Sequence, residues 1–543
     1  MEYTSYSVPS CFSDAGSSLV GASLILFTLQ VINFDFYVGM YIMAMELVAS
    51  GIAEKITLNQ EISPFINGQY VVSASETWID IVNPANSQYL YKMPAGCSED
   101  ANRAVISARQ NFNRGDWRDQ PPSARKAILH RFADLIAEQA SVLDRLDALE
   151  MGKPTGLARF NAKGAANRIH FMAETIDKLS SSLLATDKTS VVMQDMMPRG
   201  VVVAITPWNF PTFNVALKIG PALAAGNSVV LKPSEVSAQS AFIMAELALQ
   251  AGLPAGTLNV VPGLGQTVGK ALALHMDVDM VSFTGSTAVG KLMLQYSGQS
   301  NMKEVATECG GKSPQIVFDD GLDLDVVADG IAAGILTNQG QVCSAGSRVL
   351  VQASLMEALT TKICARMEAI KIGDPMDAGT TYGPLVSSQH LNRVLGYISQ
   401  AQQDGADLVY GGNRVLESSG GHFLEPAVFV NVDPASALAQ DEIFGPVLSI
   451  MPFNTEDEAV ALANCTCYGL AAFVWSTRTT TAMKMAKQIP SGIIIINATA
   501  PIGEGPGSAL SIEPYGQSGT GVEGGIPGIK RFMRQQLVWL NHG

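Results

Sequence analysis

Val201-Val202-Val203-Ala204-Ile205, Ser228-Val229-Val230-Leu231, Leu258-Asn259-Val260-Val261 and Met280-Val281-Ser282-Phe283 are four short, largely β-branched runs separated by helical stretches such as Ala238 to Gly252. Strands alternating with helices connect in parallel, and continuous apolar character marks strands covered on both faces. Ligands of such sheets collect at the carboxyl ends of the strands. There the sequence places Thr206-Pro207-Trp208-Asn209, Lys232-Pro233-Ser234-Glu235, Gly263-Leu264-Gly265 and Thr284-Gly285-Ser286. A second alternating unit starts near Gly311 and runs towards Asn497. The fold class is therefore α/β, in at least two large units, as 543 residues would require.

Outside this region the pattern is also regular. Phe65 to Val71 and Asp80 to Pro84 read as short strands, and Ile128, Leu129, Phe132, Leu135 and Ile136 recur at helical spacing after Pro122. With 35 Lys and Arg against 49 Asp and Glu, the formal charge is −14, which excludes nucleic acid as a natural partner. Seven cysteines, an odd number in a long chain, read as reduced thiols, consistent with a cytoplasmic location. The Cys465-x-Cys467 spacing is not that of a zinc knuckle and the six histidines are dispersed, so no metal is expected.

Ala15 to Phe34 carries no charge, yet no Lys or Arg precedes Lys55, so a signal peptide would lack its basic start and an anchor its orienting charges. Residues 1–44 read as an extension upstream of Met40, Met43 or Met45 and outside the fold; a membrane anchor is the competing reading.

Several motifs carry chemistry. Gly285-Ser286-Thr287-Ala288-Val289-Gly290-Lys291 follows a strand and opens a helix, where free N–H groups and the positive dipole end suit a pyrophosphate. Leu292 stands where a Walker A loop needs Ser or Thr, which argues against nucleotide hydrolysis. Gly263-x-Gly265-x-x-x-Gly269 is a weaker dinucleotide signal and reads as a tight turn. Lys232 and Glu235 put an ammonium and a carboxylate where a ribose could be gripped, and an acid there would repel a 2′-phosphate, favouring NAD over NADP. Alone, this would be a solvated turn. Asn338 to Ser344 holds Cys343 in a polar, glycine-containing loop, and Glu308 stands beside Cys309-Gly310-Gly311. Singly, a buried structural cysteine and a plain turn explain them.

In order and spacing, Pro207 to Pro211, Lys232 to Glu235, Phe283 to Thr287, Glu308 to Pro314, Gly340 to Cys343 and Glu442-Ile443-Phe444-Gly445-Pro446 together resemble the aldehyde dehydrogenase superfamily over about residues 60 to 500. The resemblance implies a Rossmann-like cofactor-binding domain (45–179 and 199–309), an α/β catalytic domain (310–514) and a small β oligomerisation hairpin (180–198 and 515–543), in a homodimer or homotetramer. It further implies Cys343 as nucleophile, Glu308 as general base and Asn209 as oxyanion donor. NAD would lie against Ile205, Trp208, Lys232, Ser234, Glu235, Gly265, Gly285, Ser286, Gly290, Glu442 and Phe444. A small-molecule aldehyde would enter past Phe210, Phe213, Asn214, Leu217, Thr337 and Val342. Relatives that pass the acyl group to coenzyme A usually lack the base, so Glu308 favours hydrolysis to the acid.

The motif wording around Ser300 to Glu308 and Asn338 to Ser347 resembles the branch that oxidises aminoaldehydes, including γ-glutamylaminobutyraldehyde. That branch usually places Trp eight residues after the catalytic Asn, where this chain has Leu217. An apolar channel without a carboxylate and with little aromatic surface beyond Phe210 and Phe213 favours an uncharged aliphatic or aromatic aldehyde. Two features depart from the family pattern: the amino-terminal extension, and Pro501 to Gly507, a longer proline and glycine loop where the family closes the substrate entrance. A catalytically inactive protein on the same fold is the competing class.

Overall fold

The computed structural model describes residues 61–157, 160–499 and 507–543, so both the 1–44 extension and nearly all of the 501–507 loop lie outside the described residues. Two large sheets dominate. In the first, Val201–Ile205 is central. Ser228–Lys232 and then Leu258–Val260 lie to one side in parallel, and Met280–Thr284 and then Glu304–Glu308 to the other. Every residue of Val201–Ile205 and Ser228–Lys232 is buried, which is why these runs lack polar alternation. The chain leaves Val201–Ile205 in one direction and returns on the opposite side at Met280. This reversal opens a crevice at the carboxyl ends of the two strands.

In the second sheet Pro314–Val317 pairs in parallel with Arg348–Gln352 on one side and Ala471–Trp475 on the other. Val447–Phe453, Ala427–Val430 and Ile493–Ile496 extend it, and Asp407–Gly411 closes one edge in antiparallel fashion. Met533–Asn541, Ser190–Pro198 and Ser182–Leu184 form a separate antiparallel sheet.

The helix expected after Pro122 spans Pro122–Glu138 and buries Leu129, Phe132 and Ile136. The glycine loop is also as read: Thr287–Gln299 is helical and the Ser286 side chain caps it by accepting from Val289 N–H. One reading needs correction. Phe65 to Val71 is not one strand but two residue pairs, Phe65–Ile66 and Gln69–Tyr70, folded back on each other. Asn67 and Gly68 both take positive φ there, a two-residue turn that alternation does not reveal. Residues 515–543, expected to belong to an oligomerisation segment, divide their strand pairings among three sheets. Tyr515–Gly516 pairs with Tyr468–Gly469, Gly519–Thr520 adds an antiparallel edge to the first sheet beside Glu304–Glu308, and Met533–Asn541 alone pairs with Ser190–Pro198.

Candidate active site

The carboxyl edge of the first sheet faces the amino edge of the second across a cavity of 680 Å³. One wall comes from residues that follow strands: Thr206 to Phe210, Lys232 to Glu235, Gly265, Thr284 to Ser286 and Glu308. The other comes from residues that precede strands: Val342 to Gly346 before Arg348–Gln352, Glu442 and Phe444 before Val447–Phe453, and Leu470 before Ala471–Trp475. Every site residue read from the sequence lines this cavity except Gly290. Gly290 is buried on the helix Thr287–Gln299, where a Cβ would come 2.6 Å from Cys309 Sγ. Its small size admits that thiol, and it does not face the cavity.

Cys343 follows a tight bend. Asn338, Gln339 and Gly340 take φ of 50°, 57° and 70° in succession, a left-handed run that non-glycine residues adopt only under constraint. The constraint is visible: a Cβ on Gly340 would come 2.3 Å from Gly445 O, so the bend is pressed against the segment that carries Glu442 and Phe444. Asn338 Nδ2 donates to Asn209 O at 2.8 Å, and Asn209 Nδ2 donates to Gln341 O at 2.9 Å. These two bonds tie Asn209 to the bend. An amide nitrogen has two N–H groups, so the Asn209 side chain keeps one donor beyond this bond.

Glu308 ends its strand with backbone O accepting from Gly285 N–H at 3.0 Å, so the candidate base and the glycine loop share one hydrogen bond. Burial, then the negative charge of Glu523, pushes the Glu308 carboxyl well above its usual range, with Lys218 opposing. Burial raises the Cys343 thiol to about 12, helped by Glu442, Glu308 and Glu523. At neutral pH the Cys343 thiol holds its proton in this cavity, and the Glu308 carboxyl keeps its proton to higher pH than a free carboxyl does.

The rest of the cavity is polar where it is narrow. Lys232, buried, donates to Pro233 O at 2.9 Å and approaches Glu235 at 3.5 Å. Glu442 Oε1 accepts from Gly311 N–H at 3.2 Å, and burial lifts its carboxyl to about 7. Gly310 permits this approach, since a Cβ there would come 2.0 Å from Glu442 Oε2. Phe444 takes φ 60° and is held through its carbonyl by His390 Nε2 at 2.7 Å, while Arg393 donates to Ile443 O and Glu442 O at 3.1 and 2.8 Å. The Thr284 hydroxyl is buried without a partner on the same wall. The residues fit a dinucleotide: a capped helix amino terminus, an orphaned hydroxyl, a Lys/Glu pair and a second carboxylate line one continuous groove.

Sequence reading missed several residues of this site. Lys218, one helix with Asn209's neighbours, donates to Phe283 O at 3.5 Å and to Glu523, and Glu523 lies 305 residues away in the chain. Phe160 packs on Phe210 and Phe213 with centroids 4.4 and 5.1 Å apart. Arg168 also lines the cavity. The expectation of a channel without a carboxylate and with little aromatic surface is thus corrected on both counts. Lys218's spacing from Asn209 was the only available signal; the others arrive from helices and returns that no local pattern ties to the motifs. Among the described residues no helix is long and apolar enough to cross a membrane, and no three His, Cys, Asp or Glu group as a metal site.

A two-sheet α/β fold with a dinucleotide groove at the switch point and a thiol opposite defines a nicotinamide-linked oxidoreductase. The chain belongs to the aldehyde dehydrogenase family, whose model matches residues 70–538. It is 40% identical over 484 residues to the NADP/NAD-dependent aldehyde dehydrogenase PuuC of Escherichia coli, covering 88% of this chain and 95% of that one. A solved indole-3-acetaldehyde dehydrogenase complexed with NAD+ superposes with TM-score 0.87 at 43% identity, covering 89% of this chain and 97% of that one. A γ-glutamyl-γ-aminobutyraldehyde dehydrogenase from Burkholderia cenocepacia gives 0.86 at 42%, with 90% and 98% covered. The chain is an NAD(P)-dependent aldehyde dehydrogenase.

Proposed function

We propose that this enzyme oxidises an aldehyde to the free carboxylate through a thioester on Cys343. The Cys343 thiolate adds to the carbonyl carbon, and the carbonyl pair moves onto oxygen, where the Asn209 amide and the Cys343 backbone N–H stabilise it. The resulting thiohemiacetal collapses, its C–H bond breaking with loss of hydride. NAD supplies, when bound, the acceptor for that hydride. Glu308 then takes a proton from water, the water oxygen adds to the thioester carbon, and the C–S bond breaks to return the thiolate. The observation that carries this reading is that Asn209, Cys343 and Glu308 line one cavity, with Asn209 bonded directly to the bend before the nucleophile.

Lys232, Ser234 and Glu235 would hold the adenosine ribose, Ile205 and Gly265 the base side, and Gly285 and Ser286 the pyrophosphate, while Trp208, its ring centroid 5.3 Å from that of Phe444, would flank the nicotinamide end. Glu442 and Phe444 would hold the nicotinamide ribose and ring. Glu235 favours NAD over NADP, because a second negative charge would face a 2′-phosphate. Phe160, Phe210, Phe213, Leu217 and Val342 suit an aldehyde with an apolar, aliphatic or aromatic body. An aminoaldehyde is the second reading, supported by the likeness to the Burkholderia γ-glutamyl-γ-aminobutyraldehyde dehydrogenase. The subunits associate through the sheet of Met533–Asn541, whose Leu537, Trp539 and Leu540 are exposed.

NADH formation across an aldehyde panel tests the reaction. Turnover by the wild type and its absence in Cys343→Ala, with NAD binding retained, is expected; substantial turnover by Cys343→Ala would sink the assignment.

A further inference from the structure

Arg168 stands out among the cavity residues because the mechanism has no use for it. It lies on the helix Ala162–Thr175, one turn after Gly164, and its guanidinium sits 5.3 Å above the Phe213 ring. Gly524 is close enough that a Cβ there would meet Arg168 Nη1 at 3.4 Å. The side chain is half-buried, and burial draws its basicity down. No hydrogen-bond acceptor and no ion-pair partner among the described residues takes its N–H groups. Glu523 supports the Arg168 charge electrostatically, but its carboxylate is bonded to Lys218. A partly desolvated guanidinium resting on an aromatic face, with its donors unused, is costly unless a ligand completes it.

Its surroundings say which ligand. Phe160, Phe210, Phe213 and Leu217 make an apolar sleeve on the same cavity wall, and Arg168 is the cation exposed to it. A planar guanidinium offers parallel N–H donors that match the two oxygens of a carboxylate, and it repels an ammonium. We infer that Arg168 is a specificity-determining residue that receives a carboxylate at the far end of the aldehyde, so that the preferred substrates are carboxy-aldehydes with an apolar body and not free aminoaldehydes. This rests on the reading of the cavity as the aldehyde site.

The test compares para-carboxybenzaldehyde with its methyl ester, which has the same body without the charge, and with aminobutyraldehyde. The wild type is expected to favour the acid over the ester by about tenfold or more in kcat/KM, chiefly through KM, as a charge-assisted hydrogen bond implies. Arg168→Gln should bring that ratio close to unity, and Arg168→Lys should leave an intermediate ratio, since it keeps the charge and loses the fork. Equal efficiency on acid and ester, a preference for the amine, or an acid preference that survives in Arg168→Gln would each overturn the inference. Binding of para-carboxybenzaldehyde to Cys343→Ala, measured by calorimetry with and without Arg168→Gln, separates this from the proposed chemistry. Arg168-dependent binding supports the inference even if NADH formation fails for every aldehyde, and binding indifferent to Arg168 overturns it even if the chemistry stands.

Discussion

Cys343 and Glu308 lie in a cavity that favours their protonated forms, the thiol because burial lifts it to about 12 and the carboxyl because burial and Glu523 lift it well above its usual range. The forms the proposed mechanism uses are the deprotonated ones, so both shifts act in the same direction: kcat/KM should keep climbing as pH rises through the neutral and alkaline range towards about 12. A flat pH–rate profile over that window would refute the assignment of these shifts to the working groups. Glu442 acts in the same direction. Its carboxyl, at about 7, is ionised above that pH and accepts a ribose hydroxyl bond more strongly in that form, so the KM for NAD should rise as pH falls from about 8 to about 6. His390 should contribute nothing to either profile. A carbonyl can only accept, so His390 Nε2 must carry the hydrogen in its bond to Phe444 O, and burial holds the ring neutral down to about pH 4. Removing that bond in His390→Ala frees a Phe444 backbone held at φ 60° and is expected to raise the KM for NAD with little change in pH dependence. For Asn209→Ala, loss of one oxyanion donor should lower kcat by about 10² to 10³.

At the scale of elements, the bend Asn338 to Gly340 positions Cys343, the proposed nucleophile. Gly340→Ala would force a Cβ against Gly445 O at φ 70°, so a loss of about 1 to 3 kcal/mol is expected in denaturant melts, together with a marked fall in kcat. Unchanged kinetics in a destabilised variant would show that the bend serves folding alone. This bend also marks what the sequence could and could not disclose. Val201–Ile205 and Ser228–Lys232 are legible because uninterrupted burial dictates uninterrupted apolar residues. The loops after them are legible because each carries a motif directly beyond a strand. Gly340 is visible in Gly340-Gln341-Val342-Cys343, yet the left-handed Asn338 and Gln339 are not, because the contact that closes the bend, Gly340 against Gly445 O, joins segments a hundred residues apart. The same applies to Glu523 and Arg168, which reach the cavity from a carboxyl-terminal return and an amino-terminal helix. Their roles are set by tertiary packing, which no local period encodes. Gly290 errs in the other direction: a motif glycine that serves packing against Cys309.

At the scale of the molecule, the antiparallel sheet leaves large apolar side chains exposed. All but the first residue of Met533–Asn541 are exposed, with Leu537, Trp539 and Leu540 at 58%, 69% and 54%, and Leu183 opposite at 74%. An edge strand this apolar is a pairing surface or a liability. The account expects a homo-oligomer in light scattering, and Leu537→Asp combined with Trp539→Glu should shift it to smaller species. A wild-type monomer would refute the role given to this sheet. The central claim, however, is chemical, and one experiment reaches it most directly. Glu308→Gln is mixed with excess aldehyde and NAD, NADH release is followed from the first turnover, and the Cys343 peptide is weighed by mass spectrometry. A burst of about one NADH per active site, followed by stalling with the acyl group retained on Cys343, is the result expected of a base needed only for deacylation. Steady turnover at the wild-type rate with an unmodified Cys343 peptide would contradict it.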